Sequence, residues 1–301
     1  MNTDATRTRT LAPPGPPDDP CTSGAPYRPG GEGHPTADSA VQVGVLGPLS
    51  LVIDGEDRTP SAPKPRQLLG LLMLNANQMV RATECITELW GSQPPKTAMS
   101  TLQTYVLYIR QILRSAPADR SYSLVTRNQG YQLGVSPQAS DRLRFESLAR
   151  RGREASAAGD PARASRLLGE ALALWRGPAL ADVPAGPLSS AHVVELEEGR
   201  RGVLERRVEA DLQLGRHREL LVELDALAAL HPTHENIHAQ YMLALHRSGL
   251  RPEALGVFHR LRCRLGDSFG IEPVPRLRRL YEAIDADDPV LGVPAGPVGP
   301  A

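Results

Sequence analysis

Two histidines four residues apart, with a glutamate beside the first, occur at His234-Glu235-Asn236-Ile237-His238 and spell H-E-x-x-H. On a helix such histidines share a face and can hold one zinc ion, while the glutamate activates the metal-bound water. The longer zinc-protease signature continues with glycine and histidine, where this chain has Tyr241 and Ala244. Glu253 and His259 are the more distant candidates for a third ligand. A helical repeat offers them no built cleft or outer hydrogen bonds to orient a metal ligand. With about 100° per residue, the two histidines fall on the flank of a packed stripe formed by Ile237, Tyr241, Ala244, Leu245 and Ser248, and Glu235 turns to solvent. They read as ordinary helix-surface histidines, with no metal site and no enzyme activity.

A second constellation occupies residues 97–114. Ala98, Leu102, Tyr105, Val106, Ile109 and Leu113 form one apolar stripe of a helix. Facing away from it are Thr97, Ser100, Gln103, Thr104, Leu107, Tyr108, Gln111 and Arg114, with Arg110 at the edge and Lys96 at the helix entry. Hydroxyls, carboxamides and guanidinium groups are the groups that hydrogen-bond base edges and phosphates in a major groove. A polar helix face is more often simply solvated. Leu107 and Tyr108 on that face, and the elements around the helix, favour groove insertion.

Those elements span residues 41–136. "VQVGVLGPLSLVI" holds two short β-rich runs broken at Gly47-Pro48, and Asp54-Gly55 marks another turn. Leucine-rich residues 65–75 and residues 82–90 predict two helices ahead of the polar-faced one, and "YSLVTR" and "YQLGV" predict a hairpin around Asn128-Gln129-Gly130. A small sheet, three helices and a hairpin make the ground plan of a winged helix-turn-helix, whose third helix enters the groove while the wing touches backbone. Residues 41–135 carry nine Lys/Arg against six Asp/Glu. Lys64 and Arg66, at the start of the first helix, suit phosphates, and Arg127 in the hairpin suits backbone or minor groove.

Beyond a linker read at 136–140, strand signals vanish. Gly215 and Gly249 stand 34 residues apart in matching contexts, and Gly159 precedes Gly215 by 56. The 22-residue excess falls in the Pro/Gly-rich "RGPALADVPAGPLSS". A period of 34 is that of tetratricopeptide (TPR) helix pairs, so residues 141–288 predict a TPR-like solenoid of three pairs. The fold class is mainly α with a small β component, a winged helix-turn-helix domain followed by a TPR-like α-helical repeat domain.

Lys+Arg and Asp+Glu both total 34, so whole-chain charge selects no partner. Cysteines at 21, 85 and 263 are too scattered for a disulfide framework, which fits a reducing cytoplasm. No apolar run suits a membrane span or a secretory signal. Residues 1–40, with eight prolines and five glycines, and residues 289–301 read as disordered tails.

Long ordered segments resemble one family: "VGVLGPL", "PKPRQLLGLLML", "ELWGSQPP", "TLQTYV", "LVTRNQGYQL", "AAGDPARASRLLGEALALWRGPALADV", "EADLQLGRHRELLVELDAL", "YMLALHRSGLRPEAL" and "LGDSFGIEPVPRLRRLYEAI" are similar to the Streptomyces antibiotic regulatory protein family. The resemblance implies an OmpR-like winged helix-turn-helix, of the kind found as a two-component output domain, joined to a bacterial transcriptional activation domain. It further implies binding of direct repeats in promoter DNA of secondary-metabolite clusters, a homodimer on DNA, and recruitment of RNA polymerase holoenzyme, without a cofactor. Family members usually read Y-V-S-R-L-R where this chain has Tyr105-Val106-Leu107-Tyr108-Ile109-Arg110. Losing one base-reading arginine would remove about 1 to 3 kcal/mol of discrimination. The alternative reading is a helical-repeat interaction scaffold with a vestigial DNA-binding half.

Overall fold

The computed structural model describes residues 41–114 and 122–292. The tail expected at 1–40, residues 293–301 of the one expected at 289–301, and Asp119 and Arg120 of the charge count lie outside the described residues.

Strand β1 (Val41–Gly44) pairs antiparallel with β2 (Ser50–Ile53), and β2 with β3 (Glu56–Asp57). Asp54 and Gly55 turn between the last two with φ of 51° and 81°, as a two-residue type I′ hairpin requires. Helix α1 (Pro63–Leu74) starts on a proline at its first position and is buried on nearly every side, because leucines recur all round it. Helix α2 (Ala82–Trp90) is closed by Gly91, and α3 (Ala98–Arg114) follows. Trp90 stacks on Tyr105 at 6.4 Å between ring centres, which fixes α2 against α3.

Strands β5 (Tyr122–Arg127) and β6 (Gly130–Val135) form the wing, with Asn128 and Gln129 at φ of 41° and 65° in another type I′ turn. A third strand, β4 (Met79–Arg81), pairs with β6 to give the order β4-β6-β5. Three residues are too few for an alternation to register in the sequence. The side chain of Asn77 anchors this sheet by donating to and accepting from the Val135 backbone, both at 3.0 Å.

Seven helices complete the chain: α4 (Asp141–Ala157), α5 (Pro161–Leu172), α6 (Pro187–Gln213), α7 (Leu221–Leu230), α8 (Glu235–Arg247), α9 (Arg251–Phe269) and α10 (Pro275–Asp285). The first six are the three expected pairs. Gly159, Gly215 and Gly249, all left-handed, terminate the leading helix of each pair. Residues 289–291, expected to open a disordered tail, are ordered: Pro289–Leu291 form a 3-10 turn whose Leu291 carbonyl accepts from Arg247 Nε at 2.9 Å.

Residues 136–140 are not a loose linker. Pro137–Ala139 form a 3-10 turn, Ala139 and Ser140 are buried, and Ser140 bridges Val43. One hydrophobic cluster runs from Val41 through α1, α2 and α3 to Phe145, Leu167, Leu180 and Leu196, so the winged part shares a core with the first helix pair and α6.

Three carboxylates stitch this seam. Asp141 accepts the backbone N–H groups of Val45 and Leu46 at 3.0 Å; burial pushes its carboxyl above the usual range, opposed by those bonds and by Arg176. Asp182, in the Pro/Gly-rich interruption, accepts the Leu49 N–H at 2.8 Å and pairs with Arg66. Leu180 of the same interruption is held at φ of 50°, a strained value for leucine, and is buried against Gly70 of α1.

Glu88 of α2, 2% exposed, is the deepest of the three. It accepts from the backbone N–H groups of Gly186, Leu188 and Ser189 at 2.9, 2.9 and 3.1 Å, capping α6 from another element. A Cβ at Gly186 would sit 2.3 Å from the Glu88 carbonyl oxygen, so only glycine allows this approach. Glu88→Ala strands three helix-terminal donors and is expected to lower unfolding free energy by about 2 to 4 kcal/mol in urea titrations. Unchanged stability would contradict the cap.

Candidate nucleic-acid interface

Helix α3 buries Ala98, Leu102, Val106, Ile109 and Leu113, with Tyr105 half-buried beneath Trp90. Thr97, Ser100, Gln103, Thr104, Gln111 and Arg114 are exposed, as is Lys96 at the entry. Leu107 and Tyr108 are 50% and 39% exposed, and Met99 joins them on the outer face. A leucine and an aromatic ring on a wet helix face lose apolar burial that nothing among the described residues restores.

The hydroxyls on this face are partly engaged. Ser100 Oγ donates to the Thr97 carbonyl at 2.9 Å and Thr104 Oγ1 to the Ser100 carbonyl at 3.0 Å. Each keeps lone pairs for an outside donor. Gln103 and Gln111 make no hydrogen bond among the described residues, which leaves both ends of each carboxamide open.

The cations divide into two groups. Lys96, Arg114 and Arg127 are exposed and have no ion-pair partner among the described residues. Arg110 instead donates through Nε to the Leu124 carbonyl at 2.9 Å and through a terminal nitrogen to Thr126 Oγ1 at 2.8 Å. It ties α3 to the wing strand β5. Lys64 donates to the Leu89 carbonyl and to Gln67 at 3.3 Å, and Arg66 pairs with Asp182. Lys64 and Arg66, expected to hold phosphates, thus have their charged heads engaged within the chain. Sequence reasoning missed these partners, and those of Glu88, since nothing local to "PKPR" or "TELW" names the Leu89 carbonyl, Asp182 or the start of α6.

The H-E-x-x-H residues do not converge. His234 caps α8 by accepting the Ile237 N–H at 3.5 Å, and its Nε2 lies 3.2 Å from Glu205. Glu235 accepts the Val274 N–H at 2.7 Å and so closes the start of α10. It does not point freely into solvent as expected. His238 is 3% exposed rather than a surface residue, and its Nδ1 donates to the His234 carbonyl at 3.0 Å. Among the described residues no three His, Cys, Asp or Glu side chains group as metal ligands.

Comparison with known proteins matches residues 140–285 to the bacterial transcriptional activator domain and residues 56–133 to the transcriptional regulatory protein, C-terminal domain. The regulatory protein DnrI of Streptomyces peucetius is 46% identical over 256 residues, covering 83% of this chain and 93% of DnrI. AfsR of Streptomyces coelicolor is 38% identical over 88% of this chain, which spans 26% of that longer relative. The solved structure of Mycobacterium tuberculosis EmbR in complex with a low-affinity phosphopeptide superposes with a TM-score of 0.79 at 33% identity, covering 86% of this chain and 67% of EmbR. No helix among the described residues is long and apolar enough to cross a membrane.

The two bonds of Arg110 place it as a brace for the wing. Arg110→Ala is expected to raise amide hydrogen exchange across residues 122–127 in the protein without DNA, and Arg110→Lys to restore only part of the protection, since an ammonium lacks the planar fork. Exchange identical to wild type in both variants would remove the brace.

Proposed function

The chain belongs to the Streptomyces antibiotic regulatory protein family of transcriptional regulators, and on that premise we propose that it activates transcription by seating α3 in the major groove of promoter DNA. The observation that carries this reading is the outer face of α3. Gln103, Thr104, Leu107 and Tyr108 stand clear of the core at its centre, while Lys96, Arg114 and Arg127 stand clear around it. Gln103 supplies a donor and an acceptor in the geometry that pairs with adenine, and Leu107 supplies a methyl surface for thymine. Thr97, Ser100, Gln111 and Tyr108 supply hydroxyl and amide contacts to backbone or base edges.

In this reading the targets are direct repeats beside secondary-metabolite promoters, on which two protomers sit head to tail on one face of the duplex. The helical-repeat half then engages the neighbouring protomer and the RNA polymerase holoenzyme. The protein works in the cytoplasm as a regulator, with no catalytic step and no cofactor.

Footprinting on promoters beside its own gene tests the whole reading; a failure to retard any such fragment at low salt would favour the interaction-scaffold alternative. Within it, Arg114→Ala is expected to weaken binding to every sequence alike and to reduce the log-log salt slope by about one, the loss of a single phosphate contact. Gln103→Ala is expected instead to keep the slope and relax base discrimination. Wild-type slope and wild-type sequence preference in both variants would dismiss these assignments.

A further inference from the structure

Between α7, α8 and α9 lies a small cavity of about 100 Å³ lined by Asp225, His238, Tyr241, Val257, Arg260 and Arg264, among others. His238 is its buried wall, 3% exposed. Its Nδ1 is committed to the His234 carbonyl, and Nε2 has no partner among the described residues. The ring is buried, but Nε2 itself is not sealed from solvent, so it can donate to a solute that enters the cavity.

Arg260 and Arg264 stand one helical turn apart on α9, exposed, with no carboxylate partner among the described residues. Like charges at that spacing disfavour a helix. The single carboxylate in the cavity, Asp225, accepts the Tyr241 hydroxyl at 3.1 Å. Two guanidinium groups therefore face one carboxylate and an unpartnered imidazole. The volume is about three times the share of one water in the liquid, enough for a tetrahedral oxyanion and too little for a drug-sized molecule.

We infer that this cavity is a binding site for a tetrahedral oxyanion, a phosphate or sulfate group, held by Arg260 and Arg264 with His238 Nε2–H as the inner donor. The charged and titratable groups facing His238 are Asp225 from α7, His234 and Tyr241 from α8, and Arg260 and Arg264 from α9, with Glu205 of α6 behind His234. In the empty site burial holds the His238 imidazole below its ordinary range, and Arg264, His234 and Arg260 push the same way against the bond to the His234 carbonyl. A bound anion reverses the charge facing the ring, so binding takes up a proton. Affinity then rises as pH falls through the bound-state pKa, and levels off below the pKa of the empty site.

The test titrates sulfate, which itself does not ionise in this range, into the full chain at constant ionic strength, with chloride as control and the His238 ring followed by NMR. Saturable shifts with sulfate alone are expected, with affinity rising from pH 8 toward acid and approaching a limit of about tenfold below the empty-site pKa, the limit set by a one-unit rise in the imidazole pKa. The exposed pair Arg260→Gln/Arg264→Gln is expected to abolish binding with the fold intact by circular dichroism. His238→Gln is expected to bind with no pH dependence. Competition by inorganic phosphate alone identifies a free ion; equal competition by phenyl phosphate identifies an esterified group. Shifts no larger than with chloride, or sulfate binding unchanged in the double arginine variant, would overturn the site.

Discussion

The structure hangs on one long-range contact, the buried Glu88 carboxylate at the start of α6. Four N–H groups at a helix start have no partner within the helix, and here three are met by a side chain from the winged part. Gln67 of α1 holds the Glu88 carbonyl at 2.9 Å, so the same residue joins α1, α2 and α6. Asp141 and Asp182 repeat the device at the β1–β2 turn. With a continuous core beneath them, these bonds set the orientation of α3 relative to the helical repeats, since a shift of either part would strand buried polar groups.

Much of this was legible from residue order. Helix α2 lies where its apolar pattern and Gly91 put it, and α3 starts one residue later than read, because their periodicity and punctuation are local. The three left-handed glycines mark the repeat for the same reason. Helix α1 begins at Pro63 rather than Pro65, a small error that two nearby prolines invite. What did not show is whatever depends on partners distant in sequence: the β4 strand, the ordered 136–140 junction, and the interruption at 176–190. The interruption looked like a spacer because it is rich in proline and glycine. Those residues in fact let the chain turn tightly enough to bring Leu180, Asp182 and Gly186 onto α1, β2 and α2.

The candidate interface was legible as a face and less so as a set of charges. Periodicity separates the wet side of α3 from its core side, with Thr101, Tyr105, Arg110 and Ile112 half-buried between them. It cannot tell whether an arginine at the edge is turned outward or folded back, and Arg66, Lys64 and Arg110 are folded back. The same limit applied to the histidines of α8, where the buried stripe includes His238 and Met242 instead of Tyr241 and Ser248.

Because the capping carboxylate and the helix it caps come from opposite sides of the junction, the two halves are not interchangeable parts. A chimera that grafts the winged part onto a repeat body lacking a glycine-led helix at this place would leave the Glu88 carboxylate buried without its donors. The reciprocal graft would leave α6 uncapped. Under the proposed reading, a change of promoter specificity is made by re-facing α3 in place, with the junction left whole.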